Sequence, residues 1–303
     1  SNDTLLSADM LNWITAALGA GATVRSAHQM AGSSSTTLYG IDAQQAGREL
    51  KLVLRLYDNA EWLAEEPDVA AHEAAALGLA GQTGLPVPEC IAFDAQGAVC
   101  GVPALLMTRV PGAINITPAD FADWLRQLAA PLARIHALPT RDFPWNFFPY
   151  YDLQQPTIPA WSGVPAAWEQ AFAVLQGPPP EEHYCFIHRD YHPMNVLWQD
   201  DTLCGIVDWP NACYGPAGFD AAYCRLDLVA MYGLAVADQF LRIYEAQTGA
   251  SLHPYWDLLA LADWLPQPEV YSPWQVFGLP HVDTPLLRQR LDEHLVSTLA
   301  RLR

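Results

Sequence analysis

The chain has 303 residues, 51% of them hydrophobic, and a formal net charge of −18. That length and apolar content suit a substantial core, in one large domain or two packed lobes. The acidic balance disfavours nucleic acid and anionic membrane, both of which need a cationic footprint. It favours a cationic small-molecule partner, although charge kept for solubility explains the same balance. The six cysteines, Cys90, Cys100, Cys185, Cys204, Cys213 and Cys224, form no C-x-x-C pair and mostly lie in apolar runs. They read as small buried hydrophobes of a reducing compartment rather than as a disulfide frame or a zinc site. No charged-then-apolar leader opens the sequence. The longest mainly apolar stretch, residues 98–107, is interrupted by Gly101 and Pro103 and is too short to span a bilayer, so a cytoplasmic setting is expected.

In chain order, Ser7 can cap a first helix with Met10, Leu11, Ile14 and Leu18 at helical spacing, stopped by Gly19 and Gly21. Strand patterns follow over residues 23–31, 36–41 and 50–56, with a turn at Gly32, Ser33, Ser34 and Ser35. Pro67 suits the first turn of a helix running to about Ala80, with Gly81 and Gly84 after it. Two more strands are expected near residues 90–93 and 104–107, around a turn at residues 94–97. The first part is thus a small antiparallel sheet with one prominent helix, an α+β lobe. Residues 108–112 read as a hinge, giving an expected division into an N-lobe of residues 1–109 and a C-lobe of residues 110–303. Beyond the hinge, residues 121–136 carry Phe121, Leu125, Leu128, Leu132 and Ile135 on one helical face. Residues 139–180 read as an irregular insertion with a short helix near residues 166–175. A strand over residues 183–187 precedes the motif region, and helices dominate from Asp220 onward.

The chemistry concentrates in His188-Arg189-Asp190-Tyr191-His192-Pro193-Met194-Asn195, followed by Val196-Leu197-Trp198, a turn at residues 199–202, and Leu203-Cys204-Gly205-Ile206-Val207-Asp208-Trp209. A strand ends, a loop presents an aspartate and then an asparagine, and a hairpin brings a second aspartate beside that asparagine. Phosphoryl transfer needs a carboxylate at the acceptor hydroxyl and oxygen ligands for the Mg²⁺ that rides on the phosphates. In this reading Asp190 orients the hydroxyl and accepts its proton, and Asn195 and Asp208 hold the metal.

These residues resemble the catalytic loop and metal aspartate of the protein-kinase-like fold, and more closely those of the aminoglycoside phosphotransferase and choline-kinase-like family. There the loop reads H-G-D-x-H-x-x-N-x-L and the metal aspartate lies in I-D-W or V-D-W, as Val207-Asp208-Trp209 does here; Arg189 stands where the family often has Gly. Gly215-Pro216-Ala217-Gly218-Phe219-Asp220 is similar to the segment whose aspartate braces the catalytic loop. The resemblance implies a bilobal α+β fold and a small-molecule kinase using ATP and Mg²⁺, acting on the hydroxyl of a small acceptor, for which the net charge suggests a cation. It also implies that Arg55 meets the nucleotide phosphates, with Lys51 as the fallback, and that Glu73, on the apolar face of its helix, pairs with Arg55. Gly32, Ser33, Ser34 and Ser35 would cover the phosphates. The strand containing Met107 would carry the main chain that meets adenine. His188 would brace the loop near Asp220, and His192 would shape it. No A-P-E motif follows Asp208, which argues against a protein kinase. A nucleotide-binding pseudokinase acting as an interaction module is the alternative, prompted by Arg55 in place of the usual Lys and by a serine-rich loop without the glycine signature.

Overall fold

The computed structural model describes residues 6–31, 35–140 and 142–303. The chain forms two compact units, one taking in the chain up to Pro111 together with Gly205–Asn211, the other Gly112–Cys204 together with Ala212–Arg303.

The first unit opens with helix α1 (Ala8–Leu18), capped where the Ser7 hydroxyl accepts from the Met10 N–H at 3.2 Å. Strands β1 (Thr23–Met30), β2 (Thr37–Gln45), β3 (Arg48–Leu56), β4 (Cys90–Asp94) and β5 (Ala104–Thr108) build one antiparallel sheet in the order β1-β2-β3-β5-β4. Strand alternation sends Ile41, Ala43, Leu52, Leu54, Ala104 and Leu106 to one face, where they bury Met10 and Ile14 of α1. On β3 the intervening residues Val53 and Arg55 face the other way and are buried too, because α3 (Val69–Ala80) supplies Glu73 to Arg55.

Three boundaries differ from expectation. Strand β2 runs on to Gln45, and a two-residue turn at Ala46 (φ 50°) and Gly47 (φ 76°) joins it to β3, closed by the Gln45–Arg48 pair. Both turn residues are left-handed, the geometry that matches strand twist, but Ala46 carries no turn signature of its own. A short helix α2 (Ala60–Glu65) starts from Asn59, whose side-chain oxygen accepts from the Trp62 N–H at 3.0 Å. Helix α3 starts at Val69, two residues after Pro67, so Pro67 lies outside it.

In the second unit, α4 (Phe121–His136) is capped by Asp120, which accepts from the Asp123 N–H at 3.0 Å, and it buries Trp124, Leu125, Leu128, Leu132 and Ile135. The insertion holds α5 (Pro165–Gln176). Strand β6 (Tyr184–Ile187) leads into the motif loop and pairs with β9 (Cys213–Pro216), while β7 (Val196–Gln199) forms a ribbon with β8 (Thr202–Ile206), whose last two residues belong to the first unit. Helices α6 (Ala217–Tyr232), α7 (Leu234–Thr248), α8 (Pro254–Asp263), α9 (Ser272–Val276) and α10 (Thr284–Ala300) complete the unit. Helix α6 is buried on nearly every side, and α4, α7, α8 and α10 pack around it. All six cysteines are free thiols, and among the described residues no helix is long and apolar enough to cross a membrane.

Leu54 is fully buried between α1 and the sheet. Leu54→Ala should lower unfolding stability by about 2–5 kcal/mol, read as a lower denaturant midpoint at unchanged slope. A loss under about 1 kcal/mol would show that this face is not close-packed.

Candidate active site

In the first unit a buried polar cluster forms around Glu73, which is 1% exposed. The Arg55 Nε lies 2.9 Å from Glu73 Oε1, an ion-pair distance whose direction does not make it a hydrogen bond. The other guanidinium nitrogens donate to Thr36 Oγ1 at 2.8 Å and to Asp208 Oδ1 at 3.1 Å. The Tyr57 hydroxyl also donates to Glu73, and the Trp209 N–H donates to Glu73 Oε2 at 3.1 Å. Burial pushes the Glu73 carboxyl above its usual range, and the Arg55 charge pulls it back. Asp208 sits two residues past β8 with φ 68°, and its side chain is 34% exposed. The fully buried Trp209 indole donates to the Ile206 carbonyl at 3.0 Å and so closes the turn that presents Asp208.

In the second unit, Asp220 is fully buried on the first turn of α6. It accepts from the His188 N–H at 2.9 Å, the Arg189 N–H at 2.8 Å and the His136 Nε2 at 2.8 Å. Burial pushes its carboxyl up, but these partners, His136 foremost, outweigh that and hold it below the usual carboxylate range. Both amides belong to the two residues before Asp190, so a buried charge fixes the main chain that aims it. The His188 imidazole Nδ1 accepts from the Asp190 N–H at 3.2 Å. The Asn195 side-chain NH₂ donates to the Asp190 carbonyl at 2.9 Å and to its Oδ2 at 3.2 Å. His192 caps the Pro193–Asn195 turn by accepting from the Met194 N–H at 3.2 Å, and its Nε2 lies 3.5 Å from Asp190 Oδ1. Asp190 remains 24% exposed.

A strand ending in a carboxylate-braced loop, with an aspartate and an asparagine joined side chain to side chain, agrees with a family match over residues 31–261 to a family described as "Phosphotransferase enzyme family". The chain belongs to this phosphotransferase family. A homoserine kinase of Methylobacterium radiotolerans is 29% identical over 157 residues, covering 46% of this chain and 47% of that protein. The chain thus spans about half the length of the curated relatives it matches. Among solved structures, a thermostable mutant of aminoglycoside phosphotransferase APH(4)-Ia, in ternary complex with AMP-PNP and hygromycin B, aligns with TM-score 0.63 at 17% identity. That alignment covers 96% of this chain and 99% of that one. LicA in complex with AMP aligns with TM-score 0.62 at 17% identity, over 95% and 97% of the two chains. These likenesses give the α+β protein-kinase-like fold, with its five-stranded antiparallel sheet and mainly helical C-terminal part.

The phosphotransferase residues expected from sequence fall into the two clusters just described. Arg55, Glu73 and Asp208 come together in the first unit; Asp190, Asn195, His188 and Asp220 come together in the second. Gly32, Ser33 and Ser34 lie outside the described residues, and Ser35 is exposed beside them. Lys51 is exposed and pairs with Asp42 at 2.9 Å. Met107 is buried inside β5, paired with Val53 and Cys90 on its two sides, so its main chain faces neighbouring strands. The His188 main-chain N–H meets Asp220, where a brace was expected, and the His136 ring meets the same carboxylate.

Four residues escaped the sequence reading. Tyr57 stands two positions beyond Arg55 and shares its partner Glu73. His136 ends α4. Asp263 ends α8 and pairs with Arg189 at 2.7 Å. Asp227 on α6 is 4% exposed, its Oδ2 has no hydrogen bond, and burial first, then the Asp190 charge, push its carboxyl well above the usual range. Only the apolar face of α4, ending at His136, offered a signal for any of them.

Each unit by itself offers a hard oxygen donor of the kind magnesium takes. With its NH₂ on Asp190, Asn195 has Oδ1 engaged by no hydrogen bond among the described residues, and Asp208 is a partly exposed carboxylate. Both are hard oxygen donors. Among the described residues no cluster of three or more His, Cys, Asp or Glu could hold a metal. Magnesium bound mainly through phosphates and water needs none.

Asp227 yields a signed pH prediction. Because its folded-state affinity for a proton is raised, the native protein must keep a proton that the unfolded chain releases above about pH 4. That penalty is absent at lower pH and grows as pH rises. Asp227→Asn should therefore raise the thermal midpoint over the parent protein, and by more at about pH 8 than at about pH 5. A midpoint difference independent of pH would contradict the burial argument.

Proposed function

We propose that this protein is an ATP- and Mg²⁺-dependent kinase that transfers the γ-phosphoryl group to a hydroxyl of a small molecule. The observation that carries the reading is the Asp190 carboxylate: set by Asn195, partly open, and aimed by a main chain that Asp220 holds. In the reaction the acceptor oxygen forms a bond to the γ-phosphorus while the bond from that phosphorus to the β-bridging oxygen breaks, releasing ADP. The hydroxyl proton passes to Asp190 and then to water. Because the transition state is loose, most of the catalysis lies in holding the hydroxyl in line, and the proton transfer adds to it. Bound Mg²⁺ would neutralise charge on the phosphates, with Asn195 and Asp208 as its protein ligands. Arg55 serves the nucleotide phosphates, a role supported by its buried charge and by Glu73, which keeps the guanidinium ordered.

Among acceptors, homoserine comes first because homoserine kinases are among the sequence relatives, and hygromycin B second because it occupies a structural neighbour. Hygromycin B is a cation, in keeping with the net charge of −18, whereas homoserine is a zwitterion of no net charge.

ADP release measured over an acceptor panel should require both Mg²⁺ and an acceptor. Asp190→Asn should lower it by about 10²- to 10⁴-fold while leaving thermal stabilisation by Mg²⁺ and ATP in place. Turnover unchanged in that variant would remove Asp190 from its role. Stabilisation by ATP that ignores Mg²⁺ would favour a nucleotide-binding module without transfer.

A further inference from the structure

Arg189 breaks a local rule. It immediately precedes Asp190 and adopts φ 74°, a left-handed conformation that glycine takes freely and that costs any residue with a Cβ. A side chain kept in such a place needs compensating contacts. Those contacts are extensive. The guanidinium is buried and donates to Asp263 Oδ2 at 2.7 Å and to the Phe148 carbonyl at 3.1 Å. Its central carbon lies 3.9 Å from the ring centre of Tyr150, 4.3 Å from Phe219 and 4.7 Å from Phe147. Asp263 closes the arrangement by accepting from the Tyr150 N–H at 3.1 Å. Upstream, the Phe147 N–H donates to the Tyr214 carbonyl at 2.8 Å, tying the segment to β9. Residues 147–150 are thereby fastened at both ends, yet Phe148 and Tyr150 leave 63% and 53% of their surface exposed and meet edge to face at 5.4 Å.

We propose that Arg189 is a positioning residue that fastens residues 147–150 beside Asp190, so that Phe148 and Tyr150 form an aromatic wall for the acceptor. The acceptor this wall suits carries an apolar or planar portion, or a cationic one that can lie on a ring face, next to its reacting hydroxyl. The inference rests on the kinase reading only for the identity of what the wall meets. The fastening itself is a property of the second unit.

Removing Arg189 alone would leave Asp263 buried and unpaired, so the test uses Arg189→Gly with Asp263→Asn, in which glycine suits the backbone and no charge is stranded. Tyr150→Ala, at an exposed side chain, is the second variant. In the first arm, hydrogen exchange of the full chain without substrate is read by mass spectrometry. Amide exchange over residues 145–151 should quicken about tenfold in the paired variant while α4 keeps its protection. Unchanged exchange in that segment would overturn the fastening. In the second arm, homoserine and hygromycin B are the acceptor probes. Tyr150→Ala should raise acceptor KM about tenfold with KM for ATP within about twofold, and should add less than about threefold on top of the paired variant. Acceptor KM that stays put, or effects that simply multiply, would overturn the wall. If the unsubstituted protein released no ADP with any acceptor, the kinase reading would fall and the wall with it, while the exchange arm would still decide the fastening.

Discussion

A buried carboxylate bonded to main-chain amides is the device on which both parts of this protein depend. Taking a charge out of water is costly unless donors replace the lost hydration, so the carboxylate and the chain it bonds hold each other in place. In the second unit Asp220 takes the amides of His188 and Arg189, the residues leading into Asp190. In the first unit Glu73 takes the amide of Trp209, the residue after Asp208. Asp190 and Asp208 therefore each sit next to an amide pinned by a second, fully buried acid, and each pin has its own cation or imidazole: Arg55 for Glu73, His136 for Asp220. The pins lie on helices α3 and α6, so loop precision is inherited from rigid elements.

The same economy explains the backbone strain. Arg189 and Asp208 are both non-glycine residues with positive φ, and both adjoin a pinned amide. A side chain in a left-handed conformation persists only where its surroundings over-determine it. Arg189 is secured by Asp263 and three aromatic rings, and Asp208 by Arg55 and the Trp209 turn.

Much of this was legible in the residues alone, for particular reasons. Helix α4 appeared with its observed limits because a long apolar stripe is a local signal. The pairing of Glu73 with Arg55 was readable because an acid on an apolar helix face demands a cation. The partners that complete the site were not readable. His136 meets Asp220 across 84 residues and Asp263 meets Arg189 across 74, and nothing local marks either pair. The Ala46–Gly47 turn was missed because alanine seldom adopts a left-handed conformation, and α2 because six residues carry too little periodicity. Asp227 is the opposite case: a buried acid whose Oδ2 has no hydrogen bond among the described residues, which no sequence rule would place in a core.

The proposed reaction moves phosphorus from ATP to a carbon-bound oxygen. Phosphorus-31 NMR of the protein with MgATP and an acceptor set of homoserine, choline, hygromycin B and a macrolide follows that atom directly. With at least one acceptor, a phosphomonoester resonance should grow in step with ADP as the γ-phosphate signal of ATP declines. Phosphorus found only as ATP, or only as ADP with inorganic phosphate, for every acceptor would contradict it.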